Sequence, residues 1–508
     1  MEKYKKKIKN LEELKKIVKE LKSKGRKIVL CHGVFDLFHP GHLFYFEAAK
    51  KEGDILIVSL TADSFVNKGI NRPVFSHFIR AKVIANLEIV DYVIIDFHKT
   101  AVELIKEIKP DIYFKGQEYE KELKNKESDL YKEAQAVKEI KGEIKFSYTP
   151  VYSSTEILAN YFNLYSEKTK KFLDEFKKRY SFEEIWHFIE KIKDLKILII
   201  GESIIDEYCY CEAMNKVPKD NVIGNKYLNK ERFLGGVLAS ANNLADFLKR
   251  IDLVSVLGKK RSFKDFIEKK LKPNIFYNFF YEENAQTILK TRFFEKSFME
   301  KLFEVYYFDD KELSIKTKRK ILKYLNKKIK NYDVVIVKDY GHGFFDKMLI
   351  KFLEKKANFL AIMAQTNSAN YGFNLITKYQ KADFVCLDHN EARLATHLKN
   401  EDIKIVGQKL LEKIKANYLI ITLGHNGSLA FDSKNIYSCP VFSNKVVDRL
   451  GAGDAFFSIT APLLFLKAPL EIVNFVGNVF AALKVSIVGH KESISKESLY
   501  GFLKTLLK

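Results

Sequence analysis

Residues 31–42 read Cys31-His32-Gly33-Val34-Phe35-Asp36-Leu37-Phe38-His39-Pro40-Gly41-His42 and lie between a strand-like and a helix-like segment. The preceding Arg26-Lys27-Ile28-Val29-Leu30 has the length and apolar character of a buried strand, and the following residues 43–50 are typical of a helix. A strand-to-helix turn therefore places His39 and His42 at the start of a helix, where free backbone N–H groups attract anions. Two imidazoles there suit charge that develops on a phosphate.

This turn resembles the HxGH signature of the nucleotidyltransferase superfamily that includes the cytidylyltransferases. The resemblance implies that His39 and His42 stabilise the α-phosphate of a nucleoside triphosphate while a phosphate oxygen attacks it. It also implies that four residues of the turn lie against the nucleotide, namely Gly33, Val34, Phe35 and Asp36.

Strand-like and helix-like segments continue to alternate after the turn. Residues 54–60 and 92–95 are typical of strands, and residues 76–87 are typical of a helix. Such alternation predicts βαβ units and a parallel sheet, whose ligand site lies at the carboxyl ends of the strands. Residues 1–25 have the apolar spacing of a surface helix that leads into the first strand.

The ordered motifs of residues 25–160 resemble the nucleotidyltransferase domain of the bifunctional enzymes that make nucleotide-activated heptose. The motifs are Lys68-Gly69, Arg72-Pro73-Val74, Arg80, Leu87-Glu88, Val90-Asp91, Lys109-Pro110-Asp111, Lys115-Gly116 and Ser154-Thr155. The resemblance implies that Lys68 and Arg80 contact phosphates and that Ser154 and Thr155 hold the departing pyrophosphate; a serine or threonine at this position can equally cap a helix.

Two departures from that family bear on the substrate. Gln117-Glu118-Tyr119 stands where family members often have Gly-Asp-Tyr. The Arg-Thr-Glu-Gly stretch of glycerol-phosphate cytidylyltransferases is missing, which disfavours glycerol 3-phosphate as the acceptor. Both cytosine and adenine stay open as the base of the nucleotide.

The sequence predicts two α/β domains joined by a connector. Residues 1–160 form the first domain, which is Rossmann-like by its alternation of strands and helices. Residues 161–192 are rich in lysine, glutamate and aromatic residues at helical spacing, which indicates a packed helical connector rather than a flexible tether. Residues 193–508 begin with a new apolar strand and form the second domain.

The most specific motif of the second domain is residues 447–456, Val-Asp-Arg-Leu-Gly-Ala-Gly-Asp-Ala-Phe. Small residues allow the backbone N–H groups of Gly451, Ala452 and Gly453 to face an anion at the start of a helix. Asp454 beside them has the chemistry of a general base that takes a hydroxyl proton during phosphoryl transfer.

This motif resembles the GAGD signature of the ribokinase/PfkB family of sugar kinases, and the resemblance extends over about residues 195–508. It implies a ribokinase-like fold in which Asp206 binds the hydroxyl groups of the sugar. It also implies a substrate-side diglycine, Gly235 and Gly236, and an ATP-side loop that contains Thr422, Gly424 and Gly427.

The Asn-x-x-Glu motif with which this family organises Mg²⁺ has two possible registers here. In one, Asp388 and Glu391 are the metal residues, and two carboxylates suit a hydrated Mg²⁺. In the other, Asn390 is the family asparagine and Arg393 replaces the glutamate. Two further departures from related heptose kinases concern other positions. Ala239 replaces an asparagine that touches the sugar, and residues 364–368 replace a turn that contains Asp-Pro. A kinase fold that has lost its catalytic activity therefore stays open as an alternative.

Composition limits the classes of protein. The 508 residues exceed one ordinary core, 47% of them are hydrophobic, and no apolar run reaches the length of a membrane span. The five cysteines are scattered, which predicts neither disulfides nor zinc, and we expect a cytoplasmic protein without a membrane partner. The net charge of +22 comes from dispersed lysines, which favours acidic small molecules over a specific nucleic acid.

These observations predict a bifunctional enzyme that makes a nucleotide-activated sugar or polyol. The second domain would phosphorylate a carbohydrate with ATP and Mg²⁺, and the first would join a sugar or polyol phosphate to CTP or to a second ATP with release of pyrophosphate. The known bifunctional heptose enzymes have the kinase first, so the reversed order indicates a different substrate. The alternative is an active nucleotidyltransferase fused to a nucleotide-binding kinase-like scaffold. Both families often form dimers, which makes a homodimer one expectation.

Overall fold

The structure, a computed structural model, describes residues 3–66, 72–126, 128–148, 165–297, 299–309, 311–443 and 446–507. It divides into an N-terminal unit, Met1–Ser166, and a C-terminal unit, Glu167–Lys508. Each unit combines helices with a sheet whose strands are all or mainly parallel, which confirms the predicted α/β fold class.

The described strands of the N-terminal unit form one parallel sheet in the order β3-β2-β1-β4-β5. Because all five strands run the same way, their carboxyl ends meet at one edge. The strands are β1 (Ile28–Gly33), β2 (Ile55–Thr61), β3 (Tyr92–Asp96), β4 (Ile112–Gly116) and β5 (Glu143–Ser147). The helices are α1 (Lys3–Lys7), α2 (Leu11–Ser23), α3 (Pro40–Lys50), α4 (His77–Ala85), α5 (Val102–Ile108) and α6 (Asp129–Glu139).

Strand β1 lies in the middle of this sheet and is buried on both faces. Val29 and Cys31 pack with α3 and α4 on one face, whereas Ile28 and Leu30 pack with α2, α5 and α6 on the other. This alternation follows from the two-residue period of a strand and explains why the strand is apolar throughout.

Helix α3 begins at Pro40, three residues before the predicted start at Leu43. Proline is favoured in the first turn because its missing N–H needs no partner there. The HxGH turn is thereby shortened, and His42 stands on the helix itself.

The C-terminal unit contains a nine-stranded and a four-stranded sheet among its described residues. The larger sheet has the order β10-β9-β6-β13-β14-β15-β16-β17-β18, in which only β17 and β18 are antiparallel to their neighbours. The smaller has the order β12-β11-β7-β8, with β7 and β11 parallel.

The strands of this unit are β6 (Ile197–Gly201), β7 (Ser203–Lys216), β8 (Ile223–Gly235), β9 (Ile251–Gly258), β10 (Ile275–Glu282), β11 (Ile288–Glu295), β12 (Glu300–Tyr307), β13 (Val334–Asp339), β14 (Leu360–Ala364), β15 (Ala382–Asp388), β16 (Ala416–Thr422), β17 (Ser428–Phe431) and β18 (Ile436–Cys439). The helices are α7 (Glu167–Arg179), α8 (Phe182–Lys191), α9 (Gly236–Ala245), α10 (Lys264–Lys270), α11 (Ile315–Lys328), α12 (Lys347–Lys356), α13 (His389–Thr396), α14 (Ile403–Ile414), α15 (Ala452–Phe465), α16 (Leu470–Lys484) and α17 (Lys496–Leu506).

Helices α7 and α8 cover most of the predicted connector and pack on the C-terminal unit. The ring of Phe176 lies 4.3 Å from that of Phe475 on α16, and Trp186 packs edge-on against Tyr500 on α17 at 4.9 Å. By contact these helices belong to the C-terminal unit, while residues 161–164 lie outside the described part. The domain boundaries at 160 and 193 stay predictions.

Candidate functional site

The two histidines of the HxGH turn lie side by side at the N-terminus of α3. Their rings are stacked, with centroids 3.8 Å apart and 21° between the ring planes. His39 is the N-cap residue, and His42 stands in the first helical turn with the ring of Phe35 edge-on against it at 5.4 Å. The structure therefore brings both predicted imidazoles to one point beside a helix N-terminus, a geometry suited to an anion.

The turn that carries them is conformationally strained. Phe35 and Leu37 have φ angles of 48° and 49°, in the left-handed region that bulky residues rarely adopt. A Cβ atom on Gly33 would lie 3.0 Å from the Phe35 ring, so glycine leaves room for that ring. The strain is maintained by the packing of Phe35, which in turn orients His42.

Asp36 organises a neighbouring loop from a buried position. Its carboxylate accepts hydrogen bonds from the backbone N–H groups of Val74 and Phe75 at 2.8 and 3.1 Å. The guanidinium of Arg72 lies 2.9 Å from the same carboxylate. These contacts tie the turn to the loop at residues 72–75 and give Asp36 an architectural role beside the predicted nucleotide contact.

Arg80 is buried, and its guanidinium is engaged by protein groups. It donates to the carbonyl oxygens of Phe75 and Thr61, each at 2.9 Å, and to that of Val34. It also pairs with the carboxylate of Asp63 at 2.6 Å. These contacts describe a structural clamp, and they leave the predicted phosphate contact of Arg80 without support from the geometry.

Three other predicted residues of this unit, Lys68, Ser154 and Thr155, lie outside the described residues. Their roles stay predictions.

A buried charged network next to the HxGH turn surrounds Lys115 of the Lys115-Gly116 motif, and its other members, Tyr113, Glu133 and His32, were not predicted to take part in the site. Lys115, the fourth residue of β4, has its Nζ 3.3 Å from the Glu133 carboxylate and 3.5 Å from the His32 carbonyl oxygen. Tyr113 donates its hydroxyl proton to Glu133 at 2.8 Å. Burial and the nearby Lys115 charge lower the pKa of His32 to about 4, so this imidazole is neutral. The network fixes an ammonium group near the carboxyl edge of the sheet.

In the C-terminal unit, Asp454 stands in the first turn of α15. Gly451 caps this helix with a φ of 76°, a conformation that glycine adopts at little cost. The Asp454 side chain is 13% exposed, and its Oδ1 pairs with Lys338 and accepts a hydrogen bond from the Tyr340 hydroxyl at 2.7 Å. Burial works to raise the pKa of Asp454, but Lys338 and Tyr340 outweigh it and hold the pKa below its ordinary value. Asp454 is therefore a carboxylate.

His490 joins the Gly451 turn to Asp206. Its Nε2 lies 3.8 Å from Oδ2 of Asp206, and a Cβ atom on Gly451 would lie 2.3 Å from its Cε1. A Cβ atom on Gly235 would lie 2.2 Å from the same Asp206 oxygen. Glycine at these positions therefore lets Asp206, the diglycine Gly235-Gly236 and the α15 N-terminus converge.

The predicted ATP-side loop follows β16. Thr422 ends that strand beside Asp388 of β15, its partner in the sheet register. Gly424 and Gly427 have φ angles of 59° and 87°, and a Cβ atom on Gly427 would lie 1.9 Å from the Cys439 carbonyl oxygen. The chain turns sharply here because only glycine fits at residue 427.

Asp388 and Glu391 form a capping box at the start of α13. Asp388 accepts a hydrogen bond from the Asn390 N–H at 2.8 Å, and Glu391 accepts one from the Asp388 N–H at 2.9 Å. The other oxygen of Glu391 accepts from the Thr366 N–H at 2.9 Å, and burial raises the pKa of Glu391 to about 7.

The alternative register is less suited to a metal. Arg393 donates to the carbonyl oxygens of Leu398, Lys399 and Glu401 beyond the end of α13. The described residues contain no cluster of three or more histidine, cysteine, aspartate or glutamate side chains arranged for a metal ion.

Sequence reasoning missed two buried cations on β11, Lys290 and Arg292. The two-residue period of the strand places them on one face, and Arg292 pairs there with Asp206 and, at 3.2 Å, with Glu304. Within the described residues no carboxylate lies within ion-pair distance of Lys290, whose pKa is lowered by burial. Two charged residues within the mainly apolar run 288–294 are the signal that could have found them.

A cavity of about 630 Å³ opens beside this cluster. It extends from the end of β8 along α9, and His490 forms part of its wall. The Nδ2 atom of Asn243 is buried in that wall without a hydrogen-bond partner among the described residues. The charged residues that line the cavity are Glu231, Arg232, Lys270, Lys272, Lys491 and Glu492.

Within the part of the chain that the structure describes, no helix is both long and apolar enough to cross a membrane.

Comparisons with known proteins also divide the chain into two parts. Residues 30–160 match a family described as cytidylyltransferase-like, and residues 194–497 match the pfkB family of carbohydrate kinases. Bifunctional protein HldE of Nitratiruptor sp. is 43% identical over 141 residues, which cover 27% of this chain and 30% of the relative. The protein of the same name from Wolinella succinogenes is 45% identical over 132 residues, which cover 25% and 27%. These matches fall in the N-terminal part.

Among solved structures, phosphofructokinase-2 of Escherichia coli in complex with substrates and products superimposes with a TM-score of 0.51 at 12% identity. The match covers 62% of this chain and all of that one, and at this identity it shows the fold alone. The chain spans less than a third of the length of the curated relatives that it matches.

Proposed function

The chain belongs to the pfkB family of carbohydrate kinases through its C-terminal unit, and from that premise we propose that it is a bifunctional enzyme. The C-terminal unit phosphorylates a carbohydrate with ATP. The N-terminal, cytidylyltransferase-like unit transfers a nucleotidyl group to a sugar or polyol phosphate and releases pyrophosphate. The proposal extends to a cytoplasmic homodimer whose partners are small phosphorylated molecules.

For the kinase, the supporting observation is the junction of Asp206, His490 and the α15 N-terminus. Asp206 would hold an acceptor hydroxyl next to Asp454. As the acceptor oxygen bonds to the γ-phosphorus of ATP, its proton passes to Asp454, and the bond to the β-phosphate oxygen breaks to release ADP. The N–H groups of Gly451, Ala452 and Gly453 would face the transferring phosphoryl group, which carries most of the charge in this reaction.

The charge around Asp206 supports an anionic acceptor. Lys290 and Arg292 are buried beside it, and the adjoining cavity has four cationic and two anionic lining side chains. Arg292 is paired with Asp206 and Glu304, but a buried cation without a carboxylate at ion-pair distance, as Lys290 is among the described residues, is costly, so a ligand that supplies negative charge would offset that cost. This favours a sugar or polyol that already carries a phosphate.

The nucleotide side involves Thr422, Gly424, Gly427 and Mg²⁺. Glu391 does not fit as a direct Mg²⁺ ligand, because both of its oxygens already accept backbone hydrogen bonds. The half-exposed Asp388 does fit, and one or two carboxylates with several waters suffice for this ion. Bound Mg²⁺ would neutralise charge on the ATP phosphates, with Asp388 holding it directly or through water.

For the transferase, the supporting observation is the stacked pair His39 and His42 at the α3 N-terminus. A phosphate oxygen of the sugar or polyol phosphate attacks the α-phosphorus of CTP or ATP, and the bond to the β-phosphate oxygen breaks to release pyrophosphate. The two imidazoles would donate hydrogen bonds to the charge on the α-phosphate. Lys68 would contact the phosphates, and Ser154 and Thr155 would hold the pyrophosphate.

A second candidate is a nucleotidyltransferase fused to a kinase-like scaffold that binds nucleotide without turnover. Ala239 in place of a sugar-binding asparagine favours it. The two candidates differ in whether ATP is consumed at the C-terminal site.

The test is an assay of the full chain with ATP, Mg²⁺ and a panel of sugars and sugar phosphates, followed by CTP or ATP with the phosphorylated product. We expect acceptor-dependent ADP release that Asp454→Asn lowers by at least about 100-fold, while pyrophosphate release from a supplied sugar 1-phosphate is kept. His42→Ala should show the reverse pattern, with a loss of about 100-fold or more in pyrophosphate release. His187→Ala, on α8, is the matched control.

ATP binding without acceptor-dependent ADP release would support the scaffold instead. Pyrophosphate release that survives both His39→Ala and His42→Ala would refute the proposed transferase site.

A further inference from the structure

Lys338 is a buried lysine beneath the proposed kinase site. It stands on β13, in the interior of the nine-stranded sheet, and has no exposed surface. Its ammonium contacts Asp454 Oδ1 and lies 2.9 Å from the sulfur of Met363. The ring centroid of Phe457 lies 5.0 Å from it. One carboxylate and an aromatic face replace the water that normally solvates an ammonium group. The charged form of Lys338 is therefore stabilised mainly by Asp454.

The ionised form of Asp454 is stabilised by Lys338 in turn. A carboxylate in so little solvent would favour its protonated form, and a protonated acid cannot accept a proton from an acceptor hydroxyl. The ammonium of Lys338 reverses that preference by direct pairing.

The two oxygens of Asp454 have different surroundings. Oδ1 receives both the Lys338 ammonium and the Tyr340 hydroxyl. Among the described residues, no group donates a hydrogen bond to Oδ2. With one oxygen held by two donors, the carboxylate is restricted to one orientation, and the remaining oxygen is the one available to a substrate.

We propose that Lys338 is a positioning residue for phosphoryl transfer: together with Tyr340 it holds Asp454 ionised and oriented, so that Oδ2 takes the proton of the acceptor hydroxyl. The proton leaves the acceptor oxygen as that oxygen bonds to the γ-phosphorus, and Asp454 later returns it to solvent. This inference rests on the proposed kinase activity.

The test compares the full-length wild type with Lys338→Met, an uncharged side chain of similar length that suits the contact with Met363. Phosphoryl transfer from radiolabelled ATP is measured between pH 5 and 9, with fructose 6-phosphate and ribose as probe acceptors. We expect kcat at pH 7 to fall by about 10-fold to 100-fold with KM for ATP nearly unchanged. The acidic limb of the kcat profile should move to higher pH, so that activity partly recovers in alkaline solution.

The shift of that limb is the part of the result that a merely structural lysine would not produce. Other titratable groups also face Asp454, namely Tyr340, Cys386, Glu391, Lys484 and His490. Variants of the last four should move the limb less than Lys338→Met does, because Lys338 and Tyr340 are the groups that contact the Asp454 carboxylate. Lys318→Met is the matched control, because Lys318 is another buried lysine of this unit but pairs with Glu312 and Asp346.

Tyr340→Phe provides a second variant that keeps the ring and removes only the hydroxyl. It should lower kcat several-fold and shift the limb in the same direction.

Unchanged kcat and pH profiles in both variants of an active wild type would overturn the role of Lys338 and leave the kinase proposal intact. Higher activity in Lys338→Met would overturn it too, because the lysine would then be an inhibitor. A wild type that binds ATP but transfers no phosphoryl group to any acceptor would overturn the kinase proposal and this inference together.

Discussion

Glu202 links the end of β6 to the loop after β13 from a fully buried position. Its carboxylate accepts the backbone N–H groups of Tyr340 and His342 at 3.0 and 3.1 Å. Burial, with the nearby charge of Asp339, raises the pKa of Glu202 to about 7. The residue therefore fixes the backbone on either side of Gly341, directly beyond the tyrosine that orients Asp454.

The raised pKa of Glu202 predicts how stability changes with pH. An acid whose pKa is higher in the folded state stabilises the fold below its unfolded pKa and loses that contribution as pH rises through its folded pKa. We expect Glu202 to cost the C-terminal unit on the order of 3 kcal/mol between about pH 4.5 and 7, and no more above that range.

Thermal unfolding of the wild type and Glu202→Gln across pH 5 to 8 measures this effect. The difference in Tm between them should change with pH below 7 and level off above it. Glu391, which shifts in the same direction, stays in both proteins and cancels from the comparison. A constant difference across the whole range would contradict the prediction.

Individual residues also show where reasoning from sequence reaches its limit. The placement of the histidine pair at the start of α3 and of Asp454 in the first turn of α15 could be predicted, because their motifs fix the backbone conformation within a few positions, while the roles of these residues and of Asp206 stay predictions. Lys338 could not be predicted, since a lysine near the end of a strand is ordinarily solvent-exposed and only the fold reveals that it is buried. The phosphate contact of Arg80 is implied by resemblance alone, whereas its described contacts are with backbone carbonyls and Asp63.

At the scale of elements, the N-terminus of α15 is the structure on which the kinase site depends most. Gly451 caps it in the left-handed region, and the ring of His490 occupies the space where a side chain would lie. We predict that Gly451→Ala lowers ADP release by at least about 10-fold, because the Cβ atom must displace either His490 or the helix start.

Gly372→Ala separates that displacement from backbone strain. Gly372 has a similar φ of 80°, but a Cβ atom there would meet nothing within 4 Å. It should lose about 1 kcal/mol of stability and keep its activity. Equal losses of activity in the two variants would show that strain, rather than the contact with His490, is responsible.

The elements themselves were predictable to different degrees. Strands β1, β2 and β3 are short apolar runs bounded by turns, and the predicted ranges 26–30, 54–60 and 92–95 differ from the observed ones by no more than three residues at either end. The four-stranded sheet was not foreseen, because much of β8 is exposed and its residues lack the apolar alternation that indicates a strand. Strands that pair mainly through their backbones leave little pattern in the sequence.

At the scale of the whole molecule, the net charge of +22 has a consequence for both proposed reactions. ATP, CTP and sugar phosphates are anions, and a positive field raises their local concentration and speeds their association. Salt screens such a field, since the Debye length falls from about 10 Å at 0.1 M to about 3 Å at 1 M.

We therefore predict that KM for the nucleotide rises several-fold in each reaction between about 50 and 500 mM KCl, whereas kcat changes much less. Sucrose at equal osmolality is the control for effects unrelated to charge. Replacing four exposed lysines of α11 by glutamine lowers the net charge by four while leaving both proposed sites untouched, and it should weaken the dependence on salt. The four are Lys316, Lys320, Lys323 and Lys327. A KM that is independent of KCl would contradict this prediction and would mean that the dispersed lysines act only locally. Steeply salt-dependent binding to DNA or RNA would instead favour a nucleic-acid partner as the explanation of the charge.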